Sequence, residues 1–233
     1  MKRLLIVGDS IAKGVVFSGE TNKYSLVHLD RFARLREMGV DVKNVSQMGA
    51  TVEKGLRVLD RPTLFEDGGA KTEVLLEFGG NDSDYNWKAI SQNPDSPEHT
   101  PNVLLERFAG LYRECIEKAR GKGASVCVSN LLPISAQKYF SHITKGLCAQ
   151  NILRWLGSEE MLYRWHEYYN AMVERVAMQS GCRLLNVRAP FLLRHDYESL
   201  LCQDGIHPNE QGYRALDAVL FEDRKSVGRE RVF

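Results

Sequence analysis

The chain has 233 residues, 43% of them hydrophobic, and a formal net charge of only +1 at pH 7. This length and composition suffice for one domain with a sizeable buried core. The near-neutral charge argues against the basic footprint of a nucleic-acid-binding protein, and no apolar stretch approaches the ~18 residues of a membrane span.

Two features of the sequence concern the compartment. After Met1-Lys2-Arg3 only four apolar residues follow in a row, which is too short for the apolar core of a secretory signal. The five cysteines are odd in number and lie at least a dozen residues apart, so the close cysteine pairs of zinc sites are absent. We therefore expect a cytoplasmic protein with reduced, mostly buried thiols.

The first predicted element is a short apolar run, residues 3–8, that ends in a glycine, an acid and a serine. Such runs of branched residues are typical of strands buried in a parallel sheet. Four more strands are predicted in the same way, over residues 40–45, 74–78, 124–132 and 182–187. Apolar residues at helical spacing predict intervening helices over residues 25–39, 52–59, 104–121 and 158–176, and a last helix capped by Asn209.

The remaining connections, residues 11–21, 83–101 and 134–157, predict loops and irregular excursions. Strands that alternate with helices imply parallel βαβ units. We therefore predict one domain over residues 1–221, with a five-stranded parallel sheet in three α/β/α layers. The charged segment over residues 222–233 shows no periodicity, and we expect it to be disordered or foreign to the native chain.

Ser10 stands at the carboxyl end of the first predicted strand, which is where open α/β sheets bind ligands. A serine hydroxyl becomes a nucleophile near neutral pH only with a base in reach, a group that orients the base, and donors for the developing oxyanion. The sequence offers candidates for each of these roles, each at the carboxyl end of a predicted strand or in the loop after one.

The candidate base is His207, which follows Asp204 by three residues with a turn at Gly205 between them. An acid that folds back onto the imidazole would fix its tautomer, as in serine triads. Taken alone, the pair is equally consistent with capping and loop hydrogen bonds. His195 is the rival base.

The candidate oxyanion donors are the Asn81 side chain and the backbone N–H groups of Gly49 and Ser10 itself. Asn81 follows two glycines after the third predicted strand, and Gly49 follows the second. Glycines let the backbone turn tightly and bring an amide close to a ligand. Taken singly, Gly49 and the glycine pair before Asn81 are also consistent with ordinary turns.

Four sequence blocks together resemble the SGNH/GDSL hydrolase family, which is named for a serine, a glycine, an asparagine and a histidine in separate blocks. The resemblance spans residues 4 to about 220. The matching blocks are, in order, Gly8-Asp9-Ser10-Ile11, Gly49, Gly79-Gly80-Asn81-Asp82 and Asp204-Gly205-Ile206-His207-Pro208.

The resemblance implies a flavodoxin-like fold with strand order 2-1-3-4-5. It implies that Ser10 is the nucleophile, that His207 is the base and later the acid, and that Asp204 orients it. It further implies an oxyanion hole of Ser10, Gly49 and Asn81, and ester hydrolysis through an acyl-enzyme without a metal or organic cofactor. The G-x-S-x-G elbow of the α/β-hydrolases is absent from the sequence.

Aromatic residues are concentrated in the excursions after the third and fourth predicted strands. The set comprises Tyr85, Trp87, Tyr139, Phe140, His142, Trp155, Trp165 and His166. Aromatic rings with polar groups suit a carbohydrate or aryl-ester surface, although the tryptophans would equally pack an inserted helix onto the core. We expect a small-molecule ester substrate with a short acyl group, such as an acetylated carbohydrate. An acyltransferase with the same site and a non-catalytic flavodoxin-like binding domain are the alternatives.

Overall fold

The computed structural model describes residues 3–65 and 71–230, with side chains as far as Lys225 in the last helix. The strands are β1 (Arg3–Gly8), β2 (Val15–Ser18), β3 (Lys23–Leu26), β4 (Asp41–Asn44), β5 (Thr72–Glu77), β6 (Ser125–Ser129) and β7 (Arg183–Leu185). The helices are α1 (Ser10–Lys13), α2 (Ala33–Glu37), α3 (Val52–Leu59), α4 (Trp87–Gln92), α5 (Leu105–Gly121), α6 (Ala136–Ile143), α7 (Ala149–Leu156), α8 (Glu160–Gln179), α9 (Ala189–Leu192) and α10 (Glu210–Glu230). Short 3-10 turns occupy Pro62–Leu64 and Tyr197–Leu200.

Five of the strands form one parallel sheet in the order β4-β1-β5-β6-β7. Counted along the chain within this sheet, the order is 2-1-3-4-5, so the predicted topology is confirmed. The strand order reverses at β1, because the chain adds β4 on one side of β1 and then returns to add β5 on the other side. The carboxyl ends of the parallel strands β1 and β5 lie at this switch point. In sheets of this type ligands bind in the crevice at such a point.

Both faces of the sheet are buried, which explains why its strands are apolar without alternation. On one face Leu5, Val7 and Leu76 pack against α3, α5 and α8. On the other face Leu4 and Ile6 belong to a core that includes apolar residues of α2, α9 and α10. The predicted three-layer α/β/α architecture is therefore confirmed. None of the described helices is long and apolar enough to cross a membrane.

The first connection differs from the prediction, because residues 11–21 are not simply a loop and no helix begins at Ser25. Instead β2 and β3 form an antiparallel hairpin in which Val15 pairs with Leu26 and Ser18 with Lys23. The only helix between β3 and β4 is the short α2. Leu26, taken from the sequence as a buried helical position, is 54% exposed on the hairpin. Backbone pairing across the hairpin thus outweighed the helical spacing of the apolar residues.

Two excursions that were predicted to be irregular contain helices. Residues 83–101 include α4, and residues 134–157 include α6 and α7. Side-chain caps begin two of these helices, because Asn86 accepts a hydrogen bond from the Ala89 N–H and Ser135 accepts one from the Lys138 N–H. Helices this short are stabilised mainly by tertiary packing rather than by their own propensity.

The last helix does not end where the domain boundary was predicted, because α10 continues through Glu230. Within the segment over residues 222–233, the buried Arg224 forms an ion pair of 2.6 Å with Glu73 of β5. Residues 231–233 lie outside the described part of the chain. The origin of this segment stays a prediction.

Candidate active site

Ser10 is the first residue of α1, directly after β1, so the sheet and a tight turn together fix its position. Asp9 caps this short helix by accepting a hydrogen bond of 2.8 Å from the Ile11 N–H. Gly14 ends it in the left-handed conformation, with a φ of +93°. The Ser10 side chain is therefore held at the carboxyl edge of the sheet, facing a cavity.

The loop before α10 brings an acid and an imidazole to this serine. His207 Nε2 lies 2.9 Å from Ser10 Oγ, and His207 Nδ1 lies 2.6 Å from Asp204 Oδ2. The local turn at Gly205 makes the second contact possible. Gly205 has a φ of +76°, and a Cβ there would meet the Tyr139 backbone nitrogen at 2.7 Å, so only glycine fits this position.

Asp204 is fully buried and accepts hydrogen bonds from its own loop. Its Oδ1 accepts the backbone N–H groups of Ile206 and His207, at 3.3 and 3.2 Å. Burial raises the pKa of Asp204, but the hydrogen bonds and charge of His207, with the Ile206 N–H, outweigh burial and hold the pKa below its ordinary value. Asp204 is therefore ionised at neutral pH and able to hold the Nδ1–H tautomer of His207.

The side chain of Asn81 also reaches this edge of the sheet, but both of its amide protons are already engaged. Asn81 Nδ2 donates to Asp9 Oδ2 at 2.9 Å and to the Ala50 carbonyl at 3.1 Å. By contrast, the backbone N–H groups of Ser10 and Gly49 donate to no acceptor within the described part of the chain. Asn81 thus contacts the Ser10 turn through Asp9, and the backbone N–H groups of Ser10 and Gly49 have no acceptor among the described residues.

Asp82 holds the loop that carries Gly49. Its Oδ1 accepts a hydrogen bond of 2.9 Å from the Val52 N–H, which caps α3 from a different strand end. Burial raises the pKa of Asp82 from 3.8 to about 7. The sequence placed Asp82 next to Asn81 but gave no sign that its side chain would cap a helix thirty residues earlier.

A cavity of about 210 Å³ opens beside Ser10 and His207. Its walls come mainly from the excursions after β5 and β6, and they include the rings of Tyr85, Trp87, Tyr139, Trp155 and Trp165. Asp84 fixes two of these rings, because Trp87 Nε1 and Tyr139 Oη both donate to its Oδ1, at 2.7 and 2.6 Å. Most of the aromatic residues singled out in the sequence therefore line the cavity and also pack the excursions together, whereas Phe140 and His142 are not among the lining residues.

Burial shifts the pKa values of two polar residues in the cavity wall towards their neutral forms. His166 is buried there, and burial lowers its pKa to about 3, so its imidazole is neutral at physiological pH. The hydrogen bonds from Trp87 and Tyr139 favour the ionised form of Asp84, but burial outweighs them and raises its pKa. A ligand in this cavity would meet mostly aromatic and aliphatic surface.

His195, the rival base, lies exposed between α9 and the turn at Tyr197–Leu200. No hydrogen bond joins it to Ser10 within the described residues, whereas His207 is in direct contact with Ser10. The geometry therefore favours His207 as the partner of the serine.

Comparisons with known proteins bear on the identity of this site. Residues 6–215 match the family model described as the GDSL-like Lipase/Acylhydrolase family. The chain belongs to this family. A comparison with curated proteins finds no match.

Solved structures of similar fold include lipases and an esterase. A lipase/acylhydrolase from Enterococcus faecalis superposes with a TM-score of 0.67 at 17% identity, over 97% of this chain and 96% of that one. A GDSL-like lipase from Bacteroides thetaiotaomicron gives a TM-score of 0.62 at 18% identity, over 97% and 89% of the two chains. An acetyl-xylooligosaccharide esterase from Geobacillus gives 0.63 at 17% identity, over 95% and 93%. At these identities the likeness concerns the fold.

The His207 ring contacts a residue that the sequence did not indicate. The hairpin of β2 and β3 places the Tyr24 ring 5.3 Å from the His207 ring, in an edge-on arrangement. Tyr24 Oη lies 3.0 Å from His142 Nε2 of α6, which joins the hairpin to the second excursion. Because the segment around Tyr24 was interpreted as a helix, no pattern in the sequence placed this ring against His207.

Proposed function

We propose that this GDSL-like family member is a serine esterase, in which Ser10 attacks the ester carbonyl carbon and becomes acylated. One observation carries the proposal: the buried hydrogen-bond chain from Ser10 through His207 to Asp204, with links of 2.9 and 2.6 Å. A binding module without catalysis has no need of this chain. Both contacts are within the distance at which a general base removes a proton.

His207 first accepts a proton and then releases it in each half of the reaction. His207 Nε2 takes the proton of Ser10 Oγ as the new C–O bond forms, and the imidazolium is stabilised by ionised Asp204. The same proton then passes to the leaving alcohol as the ester bond breaks. In the second half of the reaction His207 takes a proton from water as its oxygen attacks the acyl carbon. The bond between the acyl carbon and Ser10 Oγ then breaks, the proton passes from His207 to Ser10 Oγ, and the carboxylic acid leaves.

The oxyanion that forms in each half would be bound by the N–H groups of Ser10 and Gly49. Both groups lack an acceptor among the described residues, so they are available without any rearrangement. Asn81 becomes the third donor when one of its amide protons leaves the Ala50 carbonyl or Asp9 for the oxyanion. Donors arranged in advance around a developing charge are a main source of catalysis in acyl transfer.

We infer that the substrates are esters with short acyl groups, acetylated carbohydrates among them. The aromatic walls of the cavity and its volume of about 210 Å³ support this proposal. Aromatic rings pack well against the apolar faces of sugar rings while polar groups at their edges bind hydroxyls. The cavity alone supports this substrate class, because the similarity to the acetyl-xylooligosaccharide esterase concerns no more than the fold.

The experiment is a screen of the purified protein on nitrophenyl esters of graded chain length and on acetylated sugars, with Ser10→Ala as the blank. We expect turnover that is abolished in Ser10→Ala while the circular dichroism spectrum is unchanged, and labelling of Ser10 by a fluorophosphonate. Undiminished turnover in Ser10→Ala would contradict the mechanism. A strong preference for long acyl chains would contradict the substrate class. Transfer of the acyl group to an added alcohol in preference to water would instead identify an acyltransferase.

A further inference from the structure

A buried glutamate at the carboxyl end of β5, the strand beside β1, contacts the turn that carries Ser10. Glu77 is the last residue of β5 and pairs in register with Gly8 of β1. Its Oε2 accepts the backbone N–H groups of Asp9 and Ala12, each at 3.3 Å. These two residues flank Ser10, so one carboxyl group holds the turn on both sides of the serine.

Glu77 also acts on Asn81 through Asp9. The carboxyl groups of Asp9 and Glu77 are both buried and share a hydrogen bond. Burial, followed by the charge of Glu77, raises the pKa of Asp9 well above its ordinary range, and burial raises that of Glu77. Two buried carboxyl groups in contact disfavour each other's ionised form. Asp9 Oδ2, in turn, accepts the Asn81 amide at 2.9 Å.

The opposite end of the same turn is held by a cation. Arg31 Nη1 donates to the carbonyl groups of Ile11 and Ala12, at 3.2 and 3.0 Å, and its guanidinium is paired with Asp217. Negative charge at the N–H end and positive charge at the carbonyl end both match the dipole of the helical turn. The turn that carries Ser10 is thus fixed between Glu77 and Arg31.

We propose that Glu77 is a positioning residue for the reaction, which holds the Ser10 turn through two backbone N–H groups and the Asn81 amide through Asp9. This inference rests on the proposed esterase function and adds a residue to it. Glu77 also borders the cavity, but among the described residues it makes no hydrogen bond to Ser10 Oγ, so its effect is assigned to where the nucleophile and an oxyanion donor lie. Displacements of about 1 Å in such groups reduce rates by roughly 10²-fold.

The chain supplies a matched control on the same strand. Glu73 lies four residues before Glu77 on β5, so both side chains project from the same face of the sheet. It is equally buried and forms ion pairs with Arg183 and Arg224 at the amino edge of the sheet, far from Ser10. Removing either carboxyl group disturbs a buried polar network, but only Glu77 contacts the Ser10 turn.

The experiment compares Glu77→Ala, Glu77→Gln and Glu73→Ala with the parent protein on a nitrophenyl acetate. It measures kcat, KM, the rate of Ser10 phosphonylation and thermal unfolding. We expect Glu77→Ala to lower kcat and the phosphonylation rate by roughly 10²-fold with little change in KM. Glu77→Gln keeps an acceptor oxygen for both N–H groups and donates to Asp9, so it should restore most of the activity. Glu73→Ala should lower the unfolding temperature but leave kcat within about threefold of the parent below that temperature.

Three results would overturn the inference: full kcat in Glu77→Ala, an equal kcat loss in Glu73→Ala, or a Glu77→Gln variant as inactive as Glu77→Ala. If Glu77→Ala does not fold, Glu77→Asp replaces it, because the shorter side chain withdraws the acceptor without emptying the site. Failure of the proposed function is recognised separately, since the parent protein would then show no turnover and no labelling of Ser10.

Discussion

Ser10 Oγ and His207 Nε2 lie 2.9 Å apart, although 197 positions separate the two residues in the chain. β1 delivers the serine and the loop before α10 delivers the histidine, both to the carboxyl edge of one parallel sheet. The contact therefore depends on the topology of the whole domain, whereas the partner contact of His207 with Asp204 is made within one local turn.

The first prediction concerns the base. We expect His207→Ala to lower kcat on a short nitrophenyl ester by roughly 10⁴–10⁶, because no other group in the described site can take the Ser10 proton. His195→Ala is the matched control, since this exposed histidine was the rival in the sequence. Steady-state kinetics of both variants checks the assignment. Activity lost with His195 and retained without His207 would reverse it.

The second prediction concerns the side-chain oxyanion donor. Asn81→Ala should lower kcat by roughly 10²–10³, the usual loss for one such donor. Because the Asn81 amide also binds Asp9 and the Ala50 carbonyl, thermal unfolding must be measured beside kinetics to separate a lost donor from a loosened loop. A kcat equal to that of the parent would mean that the N–H groups of Ser10 and Gly49 bind the oxyanion alone.

The third prediction concerns stability and pH. The pKa of Asp82 is about 7 in the folded chain against an ordinary 3.8, so the folded state binds the extra proton. The contribution of Asp82 to the free energy of unfolding is therefore fully present below a pH of 3.8, its ordinary pKa. This contribution is lost as the pH rises towards 7, at about 1.4 kcal/mol per pH unit. An asparagine at position 82 does not titrate and still accepts the Val52 N–H.

The difference in free energy of unfolding between Asp82→Asn and the parent should therefore shift in favour of Asp82→Asn, by on the order of 2 kcal/mol, as the pH is raised from 5 to 8. Urea unfolding at the two pH values measures the difference. Parallel stability curves for Asp82→Asn and the parent would show that Asp82 does not bind a proton in this range.

The fourth prediction concerns the cavity wall. The Trp155 ring lies 4.9 Å from Tyr85 and 6.1 Å from Trp87, within the aromatic wall beside Ser10. Trp155→Ala enlarges the cavity, so kcat/KM for bulky esters should rise relative to acetyl esters. Tyr168→Ala is the control, because that ring on α8 is 61% exposed and does not line the cavity. An unchanged ratio would show that substrate does not contact the Trp155 side of the cavity.

Much of the fold and of the candidate site was accessible from the sequence for one physical reason. Buried parallel strands are short, apolar and bounded by polar turns, and the polar residues after them must meet at one edge. Ser10 and Asn81 directly follow such boundaries and His207 lies in the long connection after the last strand, so their meeting at one edge was predictable without knowing any distance.

The residues that escaped prediction depend on contacts that no local pattern encodes. Tyr24 reaches His207 only because β2 and β3 pair as a hairpin, a choice that the helical spacing of nearby apolar residues hid. Glu77 appears in sequence as the end of an apolar strand. Its role beside Ser10 emerges only from the register that sets Glu77 against Gly8. Strand register and hairpin pairing are long-range properties, and they decide which buried polar groups meet.

The engagement of both Asn81 amide protons has a consequence for inhibitors of this protein. An ester or amide carbonyl is a weak acceptor and cannot displace the Asp9 oxygen or the Ala50 carbonyl from Asn81. A full negative charge on a tetrahedral oxygen can, because charge-assisted hydrogen bonds are roughly twice as strong as neutral ones. Boronates and phosphonates, which bond to Ser10 Oγ and place an anionic oxygen there, should therefore bind more tightly than unreactive substrate analogues of the same shape, and part of that margin should disappear when Asn81 is replaced by alanine.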